Sequence, residues 1–252
     1  MKFTYDEYKD MLSHLKRNGY SFADYRNFNR YNRAVILRHD VDTDLEKAVQ
    51  LAEIESIGGV NSTYFILISS DFYNPFSKNS IECINNIIGL GHRIGLHFDE
   101  QKYFTSDEEW NEESMVEYIR IEKGILENMA GQRVDTVSMH RPSANTLKAD
   151  LVIPEMINSY GKQFFNDIKY ISDSYHRWRE DFWNVVDRCP PKIQLLTHAF
   201  WYNDESITRS CAFKNFISHS AERAYNLLEM NALPPGVSLK ESLAEEGATI
   251  DL

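Results

Sequence analysis

The sequence predicts an α/β protein whose strands run parallel and whose helices cross over between them. Three observations carry this expectation. Short apolar runs alternate with stretches of helical spacing, giving strand, helix, strand, helix, strand, helix, strand from residue 34 to residue 139. The helical stretches open on capping patterns and close on glycine. Four apolar runs stop at a histidine, His39, His97, His140 and His198. Parallel α/β folds carry their chemistry at the carboxyl ends of the strands, so four imidazoles at strand ends read as one metal or acid–base site.

The elements follow in order. Tyr5, Tyr8, Met11, Leu12 and Leu15 are spaced for a helix over 5–18, which Gly19 stops. Residues 20–33 are polar and aromatic and read as a connection on the outside or end of a barrel. A first strand covers 34–37. The pattern Thr43-Asp44-Leu45-Glu46 opens a helix with Leu45, Ala48, Val49, Ala52 and Ile57 on one face, and Gly58-Gly59 ends it. A strand over 62–68, a helix near 81–90 and a strand over 93–96 come next. Ser106-Asp107-Glu108-Glu109 reads as the opening of a long helix to about Ala130, and a strand follows over 134–139. Later signals are weaker. Tyr170-Ile171 reads as the end of a short strand, Asn184-Val185-Val186 as another, 193–197 as the clearest late strand and 213–230 as a terminal helix.

Length and composition bound the function. A chain of 252 residues, 42% hydrophobic and 26% charged, matches one soluble barrel-sized domain over 1–252. Within it, 1–33 reads as a helical extension, 34–201 as the motif-bearing core and 202–252 as a C-terminal helix and tail. A formal net charge of −11 argues against nucleic acid or an anionic membrane as partner. No run approaches the ~20 apolar residues of a membrane span, and no integral membrane segment is expected. The N-terminal residues lack the apolar core of a signal peptide, and Cys83, Cys189 and Cys211 form no framework, so a cytoplasmic location is expected.

The strand ends hold the chemistry. Asp40 and Asp42 are two apart, so a strand places them on one side with Val41 turned into packing. Paired carboxylates can divide the labour, one binding a cation and one accepting a proton. The plain alternative is that one of them caps the following helix. His97 is followed by Asp99, and His140 ends the next strand. Imidazole with carboxylate suits zinc or another first-row divalent ion. Neither H-E-x-x-H nor H-x-H occurs. His92 sits at the beginning of its strand, the wrong end, and reads as structural.

Taken in order, Asp-x-Asp at 40–42, Gly-His-Arg-Ile-Gly-Leu-His at 91–97, His-Arg-Pro at 140–142, Asp-Ser at 173–174 before Trp178, and Leu-Thr-His at 196–198 resemble the polysaccharide deacetylase family, the NodB-homology domain. The resemblance covers about residues 34–201. It implies a distorted (β/α) barrel of about seven parallel strands, here with an added N-terminal helix, and metal-dependent hydrolysis of N-acetyl or O-acetyl groups on sugars. By that resemblance Asp40 would be the base, Asp42 and His97 metal ligands, and His198 the general acid. Arg141 would orient the base, Asp173 would support Arg141, and Trp178 would line the acetyl pocket. Trp201 joins it as a substrate-binding aromatic. The family's second ligand histidine, four residues after His97, is Gln101 here. His140 is the leading replacement, Asp99 the next, and a site with no third protein ligand is the remaining possibility.

The function expected is therefore a divalent-metal hydrolase, zinc first among the metals, acting on a small or oligosaccharide substrate such as a nucleotide-linked or lipid-linked sugar. A non-catalytic barrel that binds sugar or metal is the rival, and a hydrolase of the same fold acting on another carbon–nitrogen bond is the third reading.

Overall fold

The computed structural model describes residues 2–106 and 108–245. The chain groups into two compact units, Met1–Glu205 and Ser206–Leu252, and all the candidate site residues named above lie in the first.

Helix α1 (Tyr5–Arg17) is capped by Thr4, whose hydroxyl accepts from the Glu7 N–H, and it buries Tyr8, Met11, Leu12 and Leu15. Gly19 takes φ +76°, the left-handed turn that stops it. Residues 20–33 then do more than connect. Strand β1 (Ser21–Ala23) pairs in parallel with the start of β2 (Ala34–Val41), while β3 (Thr63–Leu67) pairs with the end of the same strand. Tyr25 and Phe28 join Ala23, Ala34, Ile36, Phe65 and Phe164 in a buried cluster that closes the amino-terminal end of the barrel.

The remaining strands are β4 (Arg93–Asp99), β5 (Thr136–His140), β6 (Ile157–Asn158), β7 (Lys169–Ser172) and β8 (Lys192–Thr197). Their order is β6-β5-β4-β3-β2-β8-β7, and every pairing is parallel. The sheet curls into a distorted barrel of seven parallel strands, with β1 added at the side of β2. Among the described residues no ladder joins β6 to β7. Gln194 of β8 ties the segment after β6 to the barrel, its amide donating to the Ser159 and Phe164 carbonyls at 3.2 and 3.1 Å. Gly95 has a steric role inside. A Cβ there would come within 2.5 Å of the Phe65 ring and 2.8 Å of Thr136 Oγ1, so only glycine lets Phe65 fill the lumen beneath the site.

Helices α2 (Leu45–Ile57), α3 (Lys78–Gly89) and α4 (Glu112–Ala130) make the early crossovers. Short helices α5 (Ala144–Ala149), α6 (Lys162–Phe165) and α7 (Phe182–Asp187) lie in the later half. Three local expectations are corrected. The cap of α2 is Asp44, accepting from the Lys47 N–H, not Thr43. Ser106 does not open α4. Asn111 caps it through the Ser114 N–H, and the Glu109 carboxylate is turned back onto Thr105, while Asp107 lies outside the described residues. Asn184–Val186 are helical in α7, because Asp181 caps them and Val185 and Val186 bury one helical side. In the second unit, α8 (Arg209–Ala232) is followed by α9 (Leu239–Glu245), with the Leu239 N–H donating to Glu229. Among the described residues no helix is long and apolar enough to cross a membrane.

Candidate active site

Strand β2 builds the site because its alternation sends even-numbered residues into the lumen. Arg38 and Asp40 point inward, and Asp42 follows just beyond the strand end. The odd residues face the helices. His39 is therefore not part of the site, which corrects the four-histidine expectation. Its Nε2 lies 2.8 Å from Glu55 Oε1 on α2, and its Nδ1 is hydrogen-bonded to Thr197 Oγ1 at 2.8 Å.

Three donor atoms converge at the strand ends. His97 Nε2 lies 3.0 Å from Asp42 Oδ1 and 3.1 Å from His140 Nδ1, and His140 Nδ1 lies 3.3 Å from Asp42 Oδ1. Around a tetrahedral zinc with nitrogen and oxygen ligands at ~2.0–2.2 Å, neighbouring ligand atoms stand about 3.3–3.6 Å apart. The triangle needs to open by only a few tenths of an ångström, and it leaves one coordination position free. A second observation supports the fit. Asp42 Oδ1 is buried yet accepts no hydrogen bond, although two imidazole nitrogens face it. A cation is what such a convergence of lone pairs would satisfy. Burial works to raise the Asp42 carboxyl, but His140 and His97 hold it well below the usual carboxylate range.

The other replacement for the missing histidine is committed elsewhere. Asp99 accepts the Gln101 N–H at 3.1 Å on one oxygen and the Arg141 guanidinium at 2.8 Å on the other. Gln101 is exposed.

Asp40 sits beside this triangle, its Oδ2 3.9 Å from His97 Nε2. It is held by Arg38, whose Nη2 donates to Asp40 Oδ1 and Oδ2 at 2.8 and 2.6 Å and also to Ser138 Oγ. Arg38 Nη1 donates to Ser159 Oγ at 2.7 Å, and the guanidinium packs 5.0 and 5.2 Å from the Phe65 and Tyr160 ring centres. Burial opposes the charge on Asp40, but Arg38, ahead of His97 and His198, keeps the carboxyl below its ordinary value. The arginine beside Asp40 is thus Arg38 and not Arg141. The reason is backbone geometry. Arg141 takes φ +48° just past β5, and its side chain runs outward to Asp99.

Asp173 follows β7 and is fully buried. It does not meet Arg141. Its carboxylate accepts from His198 Nδ1 at 2.6 Å and from the His198 backbone N–H at 3.1 Å. That contact directs His198 Nε2 to the cavity, 4.0 Å from Asp42 Oδ2. Burial disfavours imidazolium at His198, but Asp173, with Asp42 and Asp40 behind it, pushes its pKa up to about 9.

Asp40, Asp42, His97, His140 and His198 line a cavity of about 420 Å³ together with Tyr160, Phe165, Tyr170, Tyr175, Arg179 and Trp201. Trp201 is thus on the wall. Trp178 is not among the lining residues and packs on Phe182 at 5.7 Å between ring centres. From its segment it is Tyr175 that reaches the cavity, carried by left-handed backbone at Tyr175 and His176, φ 63° and 60°. Sequence reasoning missed Arg38, although it shares the parity of Asp40. It also missed Tyr160 and Phe165, which lie where no helical or strand period is visible, and Tyr170, which the sequence places in a short strand without showing which way its ring faces.

No family model and no curated protein matches the chain. Solved structures do. The chain is similar to the Streptococcus pyogenes deacetylase PplD in complex with acetate, at 12% identity and a TM-score of 0.45, covering 77% of this chain and 80% of that one. It is similar to IcaB from Ammonifex degensii at 17% identity and a TM-score of 0.44, over 56% and 69%. It is also similar to a CE4 family pseudoenzyme from Bacillus anthracis at 14% identity and a TM-score of 0.43, over 77% of this chain and 62% of that one, less than two thirds of that protein's length.

Proposed function

We propose that this chain is a metal-dependent hydrolase that removes an acyl group, N-acetyl first, from an amino sugar or a glycan precursor. The observation that carries the reading is the Asp42, His97 and His140 triangle flanked by two held proton-transfer groups, Asp40 and His198. The triangle's two nitrogens and one oxygen suit zinc first among divalent ions. When bound there, the cation supplies Lewis-acid polarisation of the acyl carbonyl and favours ionisation of the attacking water.

The chain's own residues do the rest. Asp40, ionised and kept in place by Arg38 and Ser138, takes the proton of the attacking water. His198 carries its proton on Nε2 toward the departing amine, because Asp173 occupies Nδ1. Asp173 fixes the ring orientation and favours imidazolium, so the acid is protonated while the base is not. Tyr160, Tyr170, Tyr175 and Trp201 offer flat apolar faces of the kind that pack on sugar rings. No disulfide joins Cys83, Cys189 and Cys211, which is compatible with a reducing, cytoplasmic setting.

The test is a measurement of metal and acetate on the full chain. One equivalent of divalent metal and acetate release from N-acetylated amino sugars are expected, with metal content kept and release lost in Asp40→Asn. Protein that binds the metal but releases no acyl group would favour a non-catalytic sugar-binding barrel. Protein that takes up no metal after reconstitution would refute the reading outright.

A further inference from the structure

We propose that the substrate carries an anionic group, phosphate or carboxylate, beside its acylated sugar, and that Arg179 binds that group. The proposal rests on reading this cavity as the site of acyl hydrolysis. It arises from the charges on the cavity wall, taken one by one. Asp40 is paired with Arg38, and Asp42 faces His97 and His140. His198 is paired with Asp173, and Arg141 with Asp99. Arg179 lines the same cavity, is exposed, and among the described residues makes no hydrogen bond or ion pair.

Its neighbours are already engaged. Glu180 accepts from Lys169 at 2.5 Å, Asp181 caps α7 through the Trp183 N–H, and Asp173 holds His198. An unpaired arginine on an exposed surface is ordinary. Here it lines a functional cavity, in a chain with 38 acidic and 27 basic residues, where acidic partners outnumber cations. A guanidinium left open on the wall of such a cavity presents a planar fork of donors, which matches phosphate and carboxylate oxygens two at a time. Phosphate and uronate are two sources of the same chemistry.

The experiment compares three probes on the metal-loaded full chain: N-acetylglucosamine, its 1-phosphate, and the corresponding C6 uronate. At least one anionic sugar is expected to exceed the neutral one in kcat/KM by about 10-fold or more, mainly through KM, with the advantage shrinking as salt rises. Arg179→Gln, a substitution at an exposed position, should bring the anionic-to-neutral ratio toward one, and Arg179→Lys should restore part of it. Whichever anionic probe gains identifies the anion. Equal kcat/KM for neutral and anionic sugars, or an unchanged ratio in Arg179→Gln, overturns the proposal. If none of the three is hydrolysed, calorimetric titration of the same sugars decides it separately. Tighter binding of an anionic probe that is lost in Arg179→Gln upholds the anion site while removing the hydrolase reading. Equal binding, or no binding of any probe, overturns it.

Discussion

The two faces of β2 carry two buried charge clusters within one residue of each other, and they are built to opposite ends. On the outer face Glu55 is enclosed by Tyr8, His39, Ser62, Tyr64 and His92. His92 Nε2 is bonded onward to the Ala52 carbonyl at 3.0 Å. Glu55, His39 and Tyr64 have no exposure at all, and none of them lines the active-site cavity. On the inner face Asp40 is equally well held, but Asp42 Oδ1 meets two imidazole nitrogens at 3.0 and 3.3 Å without an aligned hydrogen bond, and Asp42 lines the cavity. A buried charge with a partner on every side ties α1 and α2 to the barrel. Buried lone pairs that converge and stay unsatisfied next to open space are what binds a ligand.

Five measurements would break or sharpen that contrast. The largest effect belongs to the inner face. His140→Ala should lose the stoichiometric divalent metal and with it all hydrolysis, read by elemental analysis beside acetate release. Retained metal would move the third ligand elsewhere. Next, Asp40→Asn should keep the metal and lower kcat/KM by roughly 10²–10⁴-fold. Full activity there would make Asp40 a structural partner of Arg38. On the outer face the currency changes from rate to stability. Glu55→Ala strands His39 and His92 in a closed core and should cost about 3–5 kcal/mol in urea unfolding, with metal content per folded molecule unchanged. A loss of metal at equal fold would show that the two faces are coupled.

The smallest effects are pH slopes, and they run in opposite directions. Burial raises Glu55, but His39, then His92 and Ser62, leave it net below its ordinary value. Its stabilisation is present above the unfolded carboxylate pKa and fades as pH falls through the lower folded value, so Glu55→Gln should flatten the acid limb of stability. His198 is shifted the other way, to about 9. Its contribution is complete below the unfolded histidine value of ~6.5 and is lost as pH rises through about 9. The alkaline limb of kcat/KM should track the same group and flatten in His198→Gln with metal retained. An unaltered limb in that variant would assign the proton to another residue.

Much of the barrel and part of the site are legible in the sequence. Apolar runs ending in histidine located β2, β4, β5 and β8, and parity placed Asp40 and Asp42 on one side. Late elements were harder. Asn184–Val186 reads as a strand by composition because β-branched residues favour sheets, but a cap and one-sided burial make it helical. The Ser106 pattern matches a helix start, yet the helix waits for Asn111. His39 was misplaced because a strand-end histidine has even odds of facing either way until the sheet's inner side is known.

What the sequence determined by itself was periodicity, and periodicity is local: which runs are strands, where they end, and which residues two apart share a side. Contacts between distant segments were decided only by the closed barrel. It put Arg38 rather than Arg141 against Asp40, gave Asp173 to His198, brought His140 within 3.1 Å of His97 across 43 residues, and left Arg179 on the cavity wall without a partner. The physical reason is that a side chain's partner depends on strand order, register and backbone handedness. A left-handed φ at Arg141 or Tyr175 redirects a side chain in a way that no hydrophobic pattern records.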